Sequence, residues 1–168
     1  MDPQGFTALV QQHLGLIHKV ARAYCRNAAD LDDLAQEIVL QLWRSRESYD
    51  RSRRASTWFY RVALNVAISY YRRERRHRGP RRMPADALIH VATSAAEPDP
   101  EVCILQDCIG ELGELERSLV LLYLDGHDHA AIAEVLGIST SNVGTKLSRI
   151  KTTLKRAFER RAARTENA

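Results

Sequence analysis

Residues 129–150 read HAAIAEVLGISTSNVGTKLSRI. A small residue, Ala133, stands where two helices would cross, and Gly137 follows four residues later, where a tight turn requires a positive φ. Val143, six residues beyond Gly137, would hold a second helix against the first. This spacing predicts a helix-turn-helix, with a plain helical hairpin as the alternative.

The second helix of this motif predicts an exposed face of hydroxyl groups with basic residues beside it. Val143, Leu147 and Ile150 recur at helical spacing and would face the first helix. The outward face then consists of Ser141, Thr145, Ser148 and Thr152, flanked by Asn142, Lys146, Arg149, Lys151, Lys155 and Arg156. Short hydroxyls allow close approach to base edges and basic side chains suit phosphates, so this pattern is typical of DNA binding.

The basic residues are concentrated in two blocks of an otherwise acidic chain. Residues 51–82 contain eleven arginines and one acid, and residues 146–164 contain eight basic residues and one acid. The rest of the 168-residue chain is acidic, although the net charge of the whole protein is +4. Two dense basic blocks indicate two surfaces that face phosphates, and two solvated helix ends are the alternative.

A proline-rich stretch separates the two halves of the chain. Four of the five prolines fall within residues 78–101, where no periodic apolar pattern is present. We therefore predict an all-α fold with small domains at residues 1–78 and 102–168, joined by a flexible linker at 79–101. The apolar spacing predicts helices at 6–25, 30–43, 57–76, 103–112, 114–124, 129–136 and 140–158, with Gly126 and Gly137 as C-terminal stops.

The helix predicted at 30–43 begins with a cluster of acids. Asp30 is the expected cap, and Leu34, Ile38, Leu42 and Trp43 form one apolar stripe. On the other side, Asp33, Gln36 and Glu37 would share an exposed face, because spacings of three and four align on a helix. Such a face could bind a basic partner surface; the alternative is that the acids only stabilise the helix N-terminus.

The helix predicted at 57–76 combines aromatic residues with arginines. With Trp58, Val62 and Val66 facing inward, the sequence places an apolar and basic set outward: Tyr60, Arg61, Leu64, Ile68, Tyr71, Arg72 and Arg75, with Asn65 at the flank. Exposed aromatic residues among arginines suit unpaired bases that stack while the backbone is held. The alternative is that each tyrosine packs against a neighbouring helix.

The complete pattern resembles an alternative bacterial sigma factor of the extracytoplasmic-function (ECF) type. The matching stretches are DLDDLAQEIVLQLW at 30–43, STWFYRVALNVAISYYRRERR at 56–76 and LGELERSLVLLYLDGHDHAAIAEVLGISTSNVGTKLSRIKTTL at 112–154. Their order, spacing and linker fit the family over nearly the whole chain. The resemblance implies two helical domains, sigma region 2 and sigma region 4, in a protein that directs transcription initiation.

The resemblance also implies partners and contact residues. Region 2 would bind the β′ clamp helices of core RNA polymerase through Asp33, Gln36 and Glu37. A loop at 49–56 and the helix after it would recognise and melt the −10 promoter element, through Tyr49, Arg53, Arg54, Ser56, Tyr60, Arg61, Asn65, Tyr71 and Arg72. Region 4 would touch the β flap and bind the −35 element through Ser141, Asn142, Thr145, Lys146, Ser148, Arg149 and Lys155. The family further implies control by an anti-sigma factor.

The chain departs from the family pattern at three places. Gly144 stands where many relatives have arginine in the recognition helix, and Gly113 replaces a frequent proline before the first helix of region 4. The loop at 51–54 is unusually basic. The promoter sequence therefore cannot be copied from relatives.

Several other classes of protein are disfavoured. Three cysteines without a CxxC pair predict neither a disulfide framework nor a zinc site, and Cys25 is expected to be a packed residue rather than a redox sensor. No apolar run approaches the roughly 20 residues that span a bilayer. The first ten residues lack a basic start, so we expect a cytoplasmic protein without a secretory signal.

We expect no metal, cofactor or catalytic activity. His127 and His129 lie in a predicted turn beside Asp125 and Asp128, where the acids are expected to be loop and cap residues rather than parts of a nuclease site. The main alternative to a sigma factor is a conventional helix-turn-helix regulator. Such a regulator would bind duplex DNA without core polymerase.

Overall fold

The computed structural model describes residues 2–25, 27–79 and 100–166. Within these ranges every regular element is helical, which confirms the all-α prediction. The elements are α1 (Pro3–Gln12), α2 (Leu14–Tyr24), α3 (Ala28–Arg44), a 3₁₀ helix (Arg46–Ser48), α4 (Ala55–Arg78), α5 (Pro100–Gly110), α6 (Glu114–Leu124), α7 (His129–Leu136) and α8 (Thr140–Glu166). The predicted linker falls almost entirely outside the described residues, and the domain boundaries stay a prediction.

The chain divides into two compact units. Helices α1–α4 belong to the first unit, and most of α5–α8 belongs to the second. Within residues 2–25, 27–79 and 100–166, no helix is both long and apolar enough to cross a membrane.

The helix predicted at 6–25 is two helices in the structure. The His13 amide donates to the carbonyl of Val10, three residues back, at 3.0 Å, and this closes α1. The His13 ring hydrogen-bonds the Leu9 carbonyl at 2.9 Å and stacks on Phe59 with ring centroids 4.3 Å apart. The break therefore lies at a residue whose side chain bonds its own helix end, a feature that apolar periodicity does not register.

The cap of α3 also differs from the prediction. The Asn27 side chain accepts the amide of Asp30 at 2.8 Å, so Asn27, and not Asp30, is the N-cap. Asp30 lies in the first turn, where its charge still favours the helix dipole.

The inward face of α4 is different from the predicted one. Phe59, Tyr60, Ala63, Leu64 and Ala67 are buried. The predicted outward position of Tyr60 and Leu64 is wrong, since they are 3% and 1% exposed. Trp58, Val62 and Val66, predicted to face inward, are only half-buried.

The reason for this rotation is tertiary packing. Helix α4 packs against both α2 and α3, and two alanines one turn apart on α4 let the neighbouring backbones approach closely. A helix that contacts two neighbours buries a wide face. The stripe of α4 that is most apolar in the sequence therefore does not have to lie at the centre of its buried face.

Two arginines of the second unit, one buried and one half-buried, bond the residues at the end of α5. Arg117 is 1% exposed and donates through Nη2 to the carbonyl of Ile109, at the end of α5, over 3.1 Å. Arg161 donates to Cys108 Sγ at 2.8 Å and to Glu111 Oε1 at 2.6 Å. The second contact ties the far part of α8, which continues beyond the predicted end at residue 158, to the residue that follows α5.

The three cysteines are expected to differ in reactivity. Burial, with the carboxylate of Asp30 as the second cause, raises the pKa of the Cys25 thiol to about 12. At pH 8 only about one Cys25 in ten thousand would be thiolate. Of the other two cysteines, Cys103 is exposed and Cys108 is buried. We expect Ellman's reagent to label one thiol per native chain rapidly and all three in guanidinium. Rapid labelling in native Cys103→Ser would contradict this expectation.

Candidate nucleic-acid and protein interfaces

The turn of the helix-turn-helix has the predicted geometry. Gly137 ends α7 with a φ of 68°, and the Ile138 amide donates to the Ala133 carbonyl at 3.2 Å. Ser139 caps α8, because its Oγ accepts the amide of Asn142 at 3.2 Å. At the start of α7, Asp128 accepts the amide of Ala131 at 2.8 Å, which confirms Asp128 as a cap residue.

The packing of this motif fixes which face of α8 is exposed. Val143 and Ile132 of α7 are fully buried, and Leu147 and Ile150 are 4% and 3% exposed. This confirms the predicted inward stripe. The predicted outward residues Ser141, Thr145, Ser148 and Thr152 are all exposed. Of the flanking residues, Asn142, Arg149, Lys151, Lys155 and Arg156 are exposed and Lys146 is half-buried.

Two hydroxyl groups on the outward face are hydrogen-bonded to the backbone of α8. Thr145 donates to the carbonyl of Ser141 at 3.0 Å, and Thr152 donates to that of Ser148 at the same distance. A threonine that donates in this way has a fixed rotamer, which leaves its methyl group and the two lone pairs of its oxygen available as contacts. The centre of the face is thus able to contact base edges without first ordering a long side chain.

Gly144 is half-buried and lies beside the first turn of α7. A Cβ at this position would lie 3.6 Å from Nδ1 of His129, an ordinary van der Waals contact. The glycine therefore faces α7 at the edge of the exposed face of α8, and an alanine would fit at this position.

The acidic residues of α3 form an exposed face, as predicted. Asp33, Gln36 and Glu37 are all exposed. Arg73 of α4, which no pattern in the sequence singled out, lies beside this face, with Nη2 3.5 Å from Glu37 Oε2. Both side chains of this ion pair are about half exposed, at 50% and 46%, so a partner can reach and replace the pair.

An apolar groove runs beside the acidic face. Its volume is about 530 Å³, and it is lined by Leu14, Ile17, His18, Asp32, Ala35, Gln36, Val39, Leu40 and Trp43. Leu40 is 47% exposed, and Trp43, which the sequence placed on the buried stripe, is 37% exposed. Exposed apolar side chains next to an acidic face are typical of a surface that binds another protein.

The loop before α4 is compact and basic. The Tyr49 ring packs on Trp58 with centroids 5.2 Å apart, so Tyr49 anchors the start of the loop. Ser52 donates to Asp50 through its hydroxyl and its amide at 2.7 and 2.9 Å, and these bonds hold the pKa of Asp50 below its usual value. Arg53 and Arg54 are exposed, and Ser56 is half-buried at the first turn of α4.

The exposed surface of α4 retains part of the predicted set. Arg61, Asn65 and Arg72 are exposed and Ile68 is half-buried, and their spacing places all four on one stripe. Tyr71 is half-buried and meets Tyr24 edge-on, with ring centroids 6.3 Å apart. The structure thus brings Arg61, Asn65 and Arg72 together and removes Tyr60 from this surface.

Comparison with known proteins assigns each unit to a family. Residues 9–77 match the family Sigma-70 region 2, and residues 104–154 match Sigma-70, region 4. Together the two matches cover more than two thirds of the chain. The first match contains α2, α3 and most of α4, and the second contains the helix-turn-helix.

Individual relatives cover nearly the whole chain. The ECF RNA polymerase sigma factor SigM of Mycobacterium tuberculosis is 24% identical over 92% of this chain and 78% of that protein. The ECF RNA polymerase sigma factor SigW of Bacillus subtilis is 25% identical over 92% of this chain and 89% of that protein.

A solved structure shares the fold. It is that of the sigma factor RpoE from Bartonella quintana in complex with the anti-sigma factor NepR, and it covers 93% of this chain and 98% of that chain. Its TM-score is 0.71 at 17% sequence identity.

Proposed function

The chain belongs to the ECF sigma factors, and on that premise we propose that it binds core RNA polymerase, recognises −10 and −35 promoter elements, promotes melting and directs transcription initiation. The observation that carries the proposal is the outward face of α8. Exposed hydroxyl side chains form its centre and exposed basic residues form its sides, on a helix-turn-helix within the region 4 match. The proposal assigns binding and melting to this chain, without a catalytic step.

In region 4, the proposed −35 contacts fall into two classes. Ser141, Thr145 and Ser148 lie at the centre of the outward face and would contact base edges. Arg149 and Lys155 lie at its sides and would contact phosphates, as would the half-buried Lys146 and the exposed Asn142 beside them. Exposed Tyr123 and Leu124 at the end of α6 offer an apolar surface for the β flap.

In region 2, the proposed polymerase contact is the acidic face of α3. Asp33, Gln36 and Glu37 would meet the β′ clamp helices. The adjacent groove, with exposed Leu40 and Trp43, adds apolar area to the charged contact. Charged groups around an apolar centre give a protein interface both orientation and affinity.

The proposed −10 surface consists of the loop before α4 and the exposed stripe of α4. Arg53, Arg54 and Ser56 stand at the N-terminus of α4, which has no side-chain cap, and the positive charge there favours phosphate. Arg61, Asn65 and Arg72 continue along the helix. Half-buried Tyr71 and the packed Tyr49 would support this surface from its edges.

We also propose that an anti-sigma factor controls the protein. The support is the relative from Bartonella quintana, which was solved with the anti-sigma factor NepR and shares the fold over 93% of this chain. Polymerase, promoters and such a regulator would meet the protein in the cytoplasm.

The decisive experiment is in vitro transcription with purified core polymerase on a library of random promoter sequences. We expect transcripts only when the protein and the core are both present, and we expect the selected templates to share two motifs. Sequence-specific DNA binding by the protein without core, together with no transcripts from the reconstituted enzyme, would favour a conventional helix-turn-helix regulator instead.

We expect Arg61→Ala with Asn65→Ala to impair open-complex formation more than initial promoter binding. Both residues are exposed on the stripe of α4 that would hold the unpaired strand. Permanganate reactivity of thymines in the melted region measures this effect. Arg22→Ala, which removes an exposed positive charge from α2, is the matched control. Unchanged thymine reactivity in the double variant would contradict the assignment.

A further inference from the structure

Helix α8 is much longer than a recognition helix requires. It runs from Thr140 to Glu166, and at about 1.5 Å per residue it is roughly 40 Å long. A major groove is about 12 Å wide, so only the first turns of such a helix can remain near base edges. The far half must have another role or remain in solvent.

The far half is held in place by the rest of its unit. Leu154 and Phe158 are half-buried on the side that packs against α5. Arg161, on the same side, bonds Glu111 at 2.6 Å and Cys108 at 2.8 Å. These contacts fix the direction of the far half relative to the recognition residues.

The opposite side of the far half presents positive charge. Arg149, Arg156 and Arg160 are exposed and lie at positions i, i+7 and i+11, which align on one stripe of the helix. Among the residues that the structure describes, neither Arg156 nor Arg160 has an ion-pair partner. Glu159, the acid next to Arg160 in the sequence, has its Oε1 4.0 Å from Nζ of Lys155.

The distances place these arginines beyond the groove. Along the helix axis Arg156 lies about 17 Å and Arg160 about 23 Å from Thr145. With Thr145 at the base edges, both guanidinium groups would have passed the width of the major groove. The nearest negatively charged groups of a duplex at that distance are the phosphates that border the groove.

We propose that Arg156 and Arg160 form a second contact with DNA, to backbone phosphates flanking the −35 element. This contact rests on the proposed function, because it requires the first turns of α8 to lie in the major groove. It is independent of base sequence and stabilises region 4 on any promoter. Its rigidity comes from the contacts of α8 with α5 on the opposite side.

The test uses the protein bound to core polymerase and promoter DNA selected with the wild-type enzyme. Arg156→Ala with Arg160→Ala should weaken binding equally on cognate and scrambled −35 sequences. It should also lower the slope of log K against log salt by about two units, one for each lost phosphate contact. The ratio of wild-type to variant affinity for DNA should therefore fall about tenfold between 50 and 200 mM salt.

Two further measurements locate the contact. Methylphosphonate linkages, which neutralise single phosphates, are scanned across both sides of the −35 element. One or two flanking linkages should weaken the wild type and leave the double alanine variant unaffected. Arg156→Lys with Arg160→Lys is the matched control, and it should retain most of the salt slope because a phosphate is satisfied by a point charge.

The outcomes separate this inference from the proposed function. If the double alanine variant has the wild-type salt slope while Thr145→Ala still loses cognate binding, the second contact is absent and the sigma function stands. If the variant binds core polymerase more weakly in the absence of DNA, the arginines contact protein and the proposal is wrong. If the wild-type enzyme does not distinguish cognate from scrambled DNA, both proposals are wrong.

Discussion

Replacing Asp33 and Glu37 together by lysine is expected to abolish stable binding to core polymerase. The two carboxylates lie one helical turn apart on the exposed face of α3, and reversing both changes the local charge by four. Like charges placed across a protein interface cost several kcal/mol, so we expect a loss of at least about 100-fold in affinity. Fluorescence titration of labelled protein with purified core measures the change.

The control for this experiment must have the same change of net charge in another place. Glu101→Lys with Glu159→Lys meets this requirement, because both acids are exposed and lie on α5 and α8 of the second unit. The control should bind core polymerase like the wild type. Equal binding by the wild type and the Asp33/Glu37 variant would exclude the acidic face as the clamp-helix contact, whatever the result with DNA.

If polymerase binds the acidic face as proposed, it must displace an ion pair within the protein. Arg73 Nη2 lies 3.5 Å from Glu37 Oε2 in the free protein, so a basic partner competes with an internal arginine. An ion pair that is half exposed contributes at most about 1 kcal/mol, and a partner with several basic groups can replace it. Arg73 therefore tunes the contact more than it blocks it.

Local signals in the sequence predicted the second unit well. The bounds of α6 and α7 agree with the prediction because each is set by nearby residues: Glu116 accepts the Gly113 amide at 3.1 Å, Asp128 caps α7, and Gly126 and Gly137 end the two helices with positive φ. Such signals act within a few residues and do not depend on the remainder of the fold.

The prediction from sequence was wrong where the packing of neighbouring helices determines which face of a helix is buried. Tyr60 and Leu64 are buried because α4 packs against α2 and α3 together, and no pattern within α4 reveals the angle of that packing. The groove beside the acidic face was missed for the same reason. It combines Leu14 of α2 with Trp43 of α3, and both residues appear in the sequence as ordinary members of apolar stripes.

The outward face of α8 could be predicted because the inward face was so well defined. Val143, Leu147 and Ile150 leave a single rotation for the helix, and the hydroxyl residues fall on the opposite side. The length of α8 could not be predicted. Residues 159–166 are mostly charged, so no apolar stripe marks where the helix ends, and Arg161 bonds Glu111, which is far away in the sequence.

The outward face of α8 predicts that its central residues recognise bases and that the residues at its sides bind phosphates. We expect Thr145→Ala to cost about 1–3 kcal/mol on the cognate −35 element and nothing on a scrambled one, because Thr145 stands at the centre of the face. We expect Lys155→Ala, at the side, to weaken both DNAs equally and to lower the salt slope by about one unit. Binding of the polymerase-bound protein to both DNAs across a salt series measures these effects.

Two conservative variants separate the chemistry at Thr145. Thr145→Ser keeps the hydroxyl and removes the methyl group, whereas Thr145→Val keeps the shape and removes the hydroxyl. If the threonine reads a thymine methyl, Ser should lose discrimination and Val should keep it; if it reads a polar base edge, the order should be reversed. The competing view is that α8 acts as a uniform cationic rod. In that case no Thr145 variant would change the discrimination between cognate and scrambled DNA, and Lys155→Ala and Arg149→Ala would have equal effects on every DNA. If Thr145→Ala lowers both affinities by the same factor, or lowers neither, Thr145 is not a base contact.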